Sequence, residues 1–262
     1  MTFFLPDTFI FLFGLCIGSF LNVCIYRLPR ENLDIGHPKR SMCPHCGSQL
    51  HFWENIPLIS YIFLLGKCRT CKMGISIRYP VVELISGCFA IAISLKFGLT
   101  ITGLIYYLLL ISLVVITFID LDFQIIPNTI SLPGIVIGLI ASFYLSEISV
   151  QDSLLGILIG GGLFYLIAYI FVTIRGIEGM GMGDVKLLAM LGAFFGLKGV
   201  MFIIFISSII GTFAGMMVMI QTRSFTFKQK IPFGPFLSIA AMIYIFWGEL
   251  LIYYYIMWLR GY

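Results

Sequence analysis

The sequence predicts an all-α polytopic membrane protein, with about eight transmembrane helices and a small cytoplasmic insert between helices 1 and 2. Of the 262 residues, 60% are apolar and only 11% are charged, whereas a soluble domain has about 45–50% apolar and roughly 25% charged residues. Too little polar surface remains to face water, which excludes a soluble enzyme, a disordered tail and a nucleic-acid-binding protein. The insert stands out because residues 27–79 hold half of the basic residues, four of the seven cysteines and no long apolar run.

The predicted spans follow from the apolar runs, because a transmembrane helix needs about twenty mostly apolar residues. The first run covers about residues 7–25 and has its basic residues behind it, which predicts an uncleaved anchor with the N-terminus outside. Seven further runs follow the insert, and the sixth of the eight is short. They cover residues 81–97, 101–118, 130–144, 154–174, 185–195, 200–220 and 236–258.

The basic residues predict the orientation. With the N-terminus outside, eight spans place residues 27–79, 121–127, 175–183 and 221–233 in the cytoplasm. Basic residues favour these segments by about four to one, as the positive-inside rule requires. The insert is therefore predicted to be cytoplasmic.

Two cysteine pairs in the insert have the spacing of a metal site. Cys43-Pro44-His45-Cys46 and Cys68-Arg69-Thr70-Cys71 are separated by twenty-one residues, and two such turns complete a tetrahedral Zn²⁺ site. The expected ligands are Cys43, Cys46, Cys68 and Cys71. Because the protein fills all four positions, the zinc would be structural and would stabilise an insert too small for its own core. Free or disulfide-bonded cysteines are the alternative.

Two aspartates stand at the ends of predicted spans that are distant in the chain. Asp120 ends the third span, and Asp184 opens the short sixth span after a glycine-rich stretch. The predicted topology places both at the cytoplasmic ends of helices, and hence at one membrane depth. A plain helix N-cap is the alternative explanation for Asp184, and a charge marking the membrane boundary is the alternative for Asp120.

A pair of carboxyl groups at this depth has a recognisable chemistry. Two carboxyl groups in contact in a poor dielectric cannot both ionise, so one of them holds a proton. The ionised member can take a proton from water while the protonated member polarises a scissile carbonyl, as in aspartic proteases. Asp122 is expected to be solvated on another helix face. Glu178 is a candidate third acid, although a loop charge is its commoner explanation.

Several short motifs follow one another in a characteristic order along nearly the whole chain. They are Gly18-Ser19-Phe20-Leu21-Asn22-Val23, the cysteine pairs, Asn55-Ile56-Pro57-Leu58-Ile59-Ser60-Tyr61, Arg78-Tyr79-Pro80-Val81-Val82-Glu83, Asp120 with Ile126-Pro127-Asn128, Gly181-Met182-Gly183-Asp184-Val185-Lys186, and Ile231-Pro232-Phe233-Gly234-Pro235-Phe236. In this order they resemble the motifs of the type IV prepilin peptidase / N-methyltransferase family, the GxGD class of aspartyl membrane proteases.

The resemblance implies an aspartic-type endopeptidase of the bacterial inner membrane. Such enzymes remove the short basic leader of type IV prepilins or pseudopilins at the cytoplasmic membrane face, and the catalytic aspartates carry over to Asp120 and Asp184. Members with the cysteine insert also N-methylate the new terminal residue, with S-adenosylmethionine as methyl donor. Lys72 departs from the family pattern, since many members have glycine after the fourth cysteine.

The resemblance also implies a division of the chain. Residues 1–26 form the first transmembrane helix, residues 27–79 the insert associated with methyl transfer, and residues 80–262 the peptidase domain. The residues that bind S-adenosylmethionine are not predicted, because the chain lacks the strand, glycine-rich turn and helix that hold this cofactor in soluble enzymes. The basic insert has an alternative role as a platform for anionic lipid headgroups.

Two other functions stay open from the sequence. An ion or proton-coupled membrane transporter would use the acids as a relay, although transporters place such groups near the midplane rather than at span ends. A zinc-ribbon membrane adaptor would need the cysteines and tolerate loss of the aspartates. The sequence does not predict which prepilins or pseudopilins are processed, or the oligomeric state.

Overall fold

A computed structural model gives the fold and describes residues 4–30, 33–36, 41–145, 147–175, 181–222 and 232–259. Within these residues the secondary structure is helical, apart from loops and isolated β-bridges. The chain divides into two compact units, Met1–Val115 and Ile116–Tyr262, with the boundary inside a helix.

Nine α-helices lie in the described part of the chain. They are α1 (Phe4–Arg27), α2 (Ile59–Phe63), α3 (Arg78–Phe97), α4 (Ile101–Phe123), α5 (Asn128–Ala141), α6 (Val150–Ile157), α7 (Phe164–Arg175), α8 (Met182–Thr222) and α9 (Gly234–Leu259). A short 3₁₀ helix, Phe52–Asn55, lies in the insert. A π-helical turn, Leu158–Leu163, joins α6 to α7, so the predicted fifth span is one continuous helical stretch.

Six described helical stretches are long and apolar enough to cross a membrane, which confirms the predicted all-α membrane fold. They are Asp7–Arg27, Arg78–Phe97, Ile101–Phe123, Val150–Ile174, Met182–Ile220 and Gly234–Leu259. The predicted fourth span is the shorter helix α5, with 14 residues. The predicted sixth and seventh spans both lie in α8.

Helix α8 consists of two arms that meet at Gly196. This glycine has φ of 65° and ψ of −169°, a left-handed conformation that side chains disfavour. A Cβ on Gly160 would lie 2.6 Å from the Leu188 carbonyl oxygen and 3.4 Å from Val200 Cγ1. In a straight helix Leu188 and Val200 would be about 18 Å apart along the axis. The chain therefore folds back sharply at Gly196, as two separate predicted spans require.

In the first unit, α1 packs closely on α3 through small residues. A Cβ on Gly14 would lie 2.7 Å from Gly87 Cα, and one on Gly18 would lie 2.6 Å from Glu83 Cα. Gly14 and Gly18 form a GxxxG pair, the spacing that lets two membrane helices approach backbone to backbone. This contact fixes α3, which carries Glu83, against the end of α1 that carries Asn22.

In the second unit, the first arm of α8 packs against α5 and α6. Met190 lies against Gly134 of α5, where a Cβ would be 2.3 Å from the Met190 sulfur. Gly156 of α6 lies against Gly192, with its ideal Cβ position 2.2 Å from the Gly192 carbonyl oxygen. These contacts hold the N-termini of α5 and α8 in one unit.

Candidate active site and metal centre

Asp120 lies near the end of α4 and is buried, with 4% of its surface exposed. Its Oδ2 accepts a hydrogen bond of 2.9 Å from the backbone N–H of Gly234, the first residue of α9. A Cβ at position 234 would lie 2.6 Å from the same oxygen, so glycine is needed for this approach. A carboxylate at a helix N-terminus is also favoured by the helix dipole.

Asp184 lies in the first turn of α8 and is partly buried. Its backbone N–H donates to the Gly181 carbonyl at 3.1 Å. Because α8 begins at Met182, Asp184 is the third residue of the helix and does not occupy the N-cap position.

Ile126 packs between the two segments that carry the aspartates. A Cβ on Gly183 would lie 3.0 Å from Ile126 Cβ, and a Cβ on Gly234 would lie 3.4 Å from Ile126 Cδ1. Ile126 therefore lies against both the turn that leads to Asp184 and the start of α9 that binds Asp120.

A hydrogen bond joins the motifs that follow the two aspartates. Lys186 Nζ, two residues after Asp184, donates to Asn128 Oδ1 at 2.8 Å. Asn128 is the first residue of α5, so this bond ties the N-terminus of α5 to that of α8. The sequence placed both residues in the motifs without predicting their contact.

The other acids near the motifs have different positions. Asp122 is exposed at the end of α4, as expected for a residue on another helix face. Glu178 lies outside the described residues.

The sequence analysis did not predict that Gly234 binds Asp120. It identified the motif that contains Gly234 only through the family resemblance. The available signal was a Gly-Pro pair at the start of a helix.

The four predicted metal ligands form one cluster in the insert. Their thiol groups lie within 4.8 Å of one another and could hold a metal ion, and all four are free cysteines. The sulfurs of Cys43 and Cys71 are 3.8 Å apart, about the separation that a tetrahedral site with Zn–S bonds of about 2.3 Å requires. The disulfide alternative does not fit this geometry.

Both cysteine turns have the same backbone hydrogen bonds. The N–H of Gly47 donates to the Cys43 carbonyl at 2.9 Å, and the N–H of Lys72 donates to the Cys68 carbonyl at 3.0 Å. Gly47 has φ of 69° and Lys72 has φ of 61°. Lys72, the residue that departs from the family pattern, therefore adopts the left-handed conformation that glycine adopts in the first turn.

One thiol is prepared for metal binding by its surroundings. Hydrogen bonding from the backbone of Cys71 and Thr70 lowers the pKa of the Cys68 thiol to about 6. A lowered pKa favours the thiolate, which is the form that binds zinc.

Comparison with known proteins identifies the family. The bacterial peptidase A24 N-terminal domain matches residues 12–97, and the type IV leader peptidase family matches residues 107–216. These ranges contain the cysteine cluster and both aspartates, respectively. No solved structure matches the chain significantly.

Several curated relatives match over nearly their full length. The chain is 39% identical to a protein of Pseudomonas aeruginosa, with 91% of this chain and 89% of the relative covered. It is 38% identical to one of Aeromonas hydrophila (94% and 92% covered) and 34% identical to one of Pseudomonas putida (90% and 88% covered). All three are named prepilin leader peptidase/N-methyltransferase, which gives no support to a transporter. The chain therefore belongs to the type IV leader peptidase family.

Proposed function

We propose that the chain is a prepilin leader peptidase in which Asp120 and Asp184 form the catalytic pair. The observation that supports this proposal is the position of Ile126, which lies against both Gly183, next to Asp184, and Gly234, whose N–H binds the buried Asp120 at 2.9 Å. The names of the relatives supply the substrate class, a type IV prepilin or pseudopilin. The bond cleaved would join the basic leader to the mature chain.

The geometry supports a division of labour around the pair. One carboxylate removes a proton from an attacking water, and the other carboxyl group donates a hydrogen bond to the scissile carbonyl. The N–H of Gly234 orients Asp120, and the bond between Lys186 and Asn128 holds the start of α8 against α5. The chain's own residues thus position both acids for hydrolysis.

Two short helices beside the pair favour access of water. Helix α5 has 14 residues, and the first arm of α8, residues 182–195, has the same length. Each is about 21 Å long at 1.5 Å per residue, shorter than the hydrocarbon core of about 30 Å. We infer that the cytoplasmic surface is drawn inward at the pair, so that water reaches a bond at the end of a membrane-embedded substrate helix.

The insert is proposed to carry a structural zinc and to take part in N-methylation. Cys43, Cys46, Cys68 and Cys71 would hold the metal, since their sulfurs have the spacing of a closed tetrahedral site. S-adenosylmethionine is proposed as the methyl donor from the names of the relatives. The proposed division assigns methyl transfer to residues 27–79 and peptide cleavage to residues 80–262. The proposed orientation has the N-terminus outside and the insert in the cytoplasm.

The experiment that tests the peptidase is cleavage of a purified prepilin by single aspartate variants. Asp120→Asn and Asp184→Asn keep the shape of the side chain and remove the titratable group, so each is expected to abolish leader removal. Asp122→Asn makes the same change at an exposed position in α4 and is expected to leave the rate unchanged. Normal processing by either site variant would disprove the catalytic pair.

A further inference from the structure

Large apolar side chains are exposed in the insert, outside the helices that are long enough to cross a membrane. Phe52 is 82% exposed, Trp53 is 65% exposed and Phe63 is 84% exposed. The 3₁₀ helix that carries the first two contacts α2, which carries the third. Exposed apolar surface that is clustered in this way marks an interaction site. The apolar patch consists of Phe52, Trp53, Ile62, Phe63, Leu65 and Ile77.

Leu65 occupies the position after α2 at which glycine is the usual residue. Its N–H donates to the Ile62 carbonyl at 3.0 Å, and the N–H of Gly66 donates to the Tyr61 carbonyl at 2.9 Å. These two bonds define a Schellman motif. Leu65 has φ of 51°, a left-handed conformation that glycine adopts freely and that strains a leucine. Because its side chain is 83% exposed, packing among the described residues does not account for a leucine here, which points to a contact outside the chain.

The apolar patch lies beside the point where the chain enters a membrane span. The N–H of Ile75 donates to the Gly66 carbonyl at 2.6 Å, so the end of α2 is bonded to the segment that leads into the span Arg78–Phe97. Ile75 is three residues from that span, a distance of at most about 11 Å. Leu65, next to Gly66 in the chain, is therefore held close to the membrane surface.

The lipid-facing side of α3 continues into the apolar patch. Ile77, Val81 and Leu84 are all exposed, and their spacing places them on one face of the helix. Val81 and Leu84 belong to the span itself, whereas Ile77 directly precedes it. The patch thus extends an apolar surface that already faces lipid.

Exposed basic side chains follow Leu65 closely in the chain. Lys67, Arg69 and Lys72 are exposed around the second cysteine pair, and residues 51–79 hold four basic residues and one acidic residue. Anionic lipid headgroups attract such a segment. A second copy of this insert, or the basic leader of a prepilin, would instead bring like charge against it. The charge therefore favours a lipid surface as the partner of the apolar patch.

We propose that the apolar patch inserts into the bilayer leaflet on the side of the insert, and that Lys67, Arg69 and Lys72 bind anionic headgroups there. The apolar side chains lie about 5–10 Å deep, at the boundary between headgroups and acyl chains, a depth that tryptophan favours. Burial of the Leu65 side chain in lipid offsets the strain of its backbone. The contact holds the cysteine cluster at the membrane surface beside α3.

Fluorescence of Trp53 in the full-length protein, reconstituted in nanodiscs, tests this proposal. The chain has three tryptophans, and the changes Trp247→Phe and Trp258→Phe leave Trp53 as the only one. Lipids brominated near the top of the acyl chains quench a tryptophan at the boundary depth, whereas acrylamide quenches one in water. In discs that contain phosphatidylglycerol we expect quenching by the brominated lipid and protection from acrylamide. Quenching by the lipid should weaken when phosphatidylcholine replaces phosphatidylglycerol.

Two matched variants separate the lipid contact from the backbone strain. Leu65→Gly removes an exposed side chain from a left-handed position and is expected to reduce the quenching of Trp53 by brominated lipid. Leu58→Gly makes the same change before α2, where the leucine has φ of 58° and is partly buried. It keeps the backbone N–H that donates to Glu83 at 2.9 Å and is expected to leave the quenching unchanged. Equal quenching in the two variants would refute the role of Leu65.

The measurement with an unaltered insert is decisive even if a leucine variant fails to fold. Quenching of Trp53 by acrylamide but not by brominated lipid would overturn the proposal, because the apolar patch would then face water. Protection from both quenchers would assign the patch to a protein contact and would also overturn it. Equal quenching with phosphatidylglycerol and phosphatidylcholine would overturn the role of the basic residues. No prepilin is present in these experiments, so their outcome is independent of the proposed peptidase.

Discussion

The backbone N–H of Gly234 donates a 2.9 Å hydrogen bond to Oδ2 of Asp120, which joins the start of α9 to the end of α4. The contact leaves no room for a side chain, because a Cβ at position 234 would lie 2.6 Å from that oxygen. Gly234→Ala should therefore displace the Asp120 carboxyl group. We expect peptidase activity to fall by about 10²-fold, the loss that a displacement of about 1 Å at a reacting group can cause.

The matched control for this substitution is Gly162→Ala. Gly162 is exposed in the π-helical turn, and a Cβ there would have no atom within 4 Å. Prepilin cleavage by this variant should equal that of the wild type. The proposed role of Gly234 would be refuted if Gly234→Ala cleaved as fast as Gly162→Ala.

Lys186 is predicted to position Asp184 through its bond to Asn128. Lys186→Met keeps the length of the side chain and removes the donor, so the start of α8 loses its tie to α5. We expect kcat for prepilin cleavage to fall about tenfold, equivalent to about 1.4 kcal/mol, with little change in KM. Steady-state kinetics check this expectation, and a fall in substrate affinity with kcat intact would indicate a role in substrate binding instead.

The two cysteine turns allow a test of backbone strain. Lys72 has φ of 61° where a glycine would relieve the strain, and Gly47 has φ of 69° with nothing within 4 Å of its ideal Cβ position. Lys72→Gly should stabilise the folded insert and Gly47→Ala should destabilise it, each by about 1 kcal/mol. Zinc transfer to a chromophoric chelator measures both, with slower release for Lys72→Gly and faster release for Gly47→Ala. Equal rates of zinc release from the two variants would show that these two backbone conformations do not affect the stability of the insert.

Much of the site could be predicted because its chemistry is carried by rare residue types. Asp120 and Asp184 stand out in a chain with 11% charged residues, and the predicted topology places them at one depth. The cysteine spacing likewise predicts a cluster, since each Cys-x-x-Cys turn directs two thiols to one point. Local sequence is sufficient to predict such a cluster, because the residue types and their spacing allow few arrangements.

The contacts that shape the site could not be predicted, because they depend on long-range packing. Gly234 contributes a backbone N–H, which every residue but proline possesses, so its residue type does not reveal the bond to Asp120. Asn22 and Glu83 belong to motifs that the sequence identifies, but only the packing of α1 on α3 brings the two motifs side by side. The reversal at Gly196 also depends on packing, since glycine tolerates a helix as well as a sharp turn.

The short helix α5 yields a final prediction about topology. If α5 crosses the membrane, the loop that follows it is extracytoplasmic and the eight-span arrangement holds; if it does not, that loop is cytoplasmic. With 14 residues and about 21 Å of length, α5 crosses only where the bilayer is thinned, at a cost of fractions of a kcal/mol per Å. We expect alkaline phosphatase inserted after Glu147 to be active, because the enzyme folds only outside the cytoplasm, and the same insertion after Ile125 to be inactive. Inactivity at both positions would mean that α5 re-enters the cytoplasmic face, and that the aspartate pair is hydrated by some route other than local thinning.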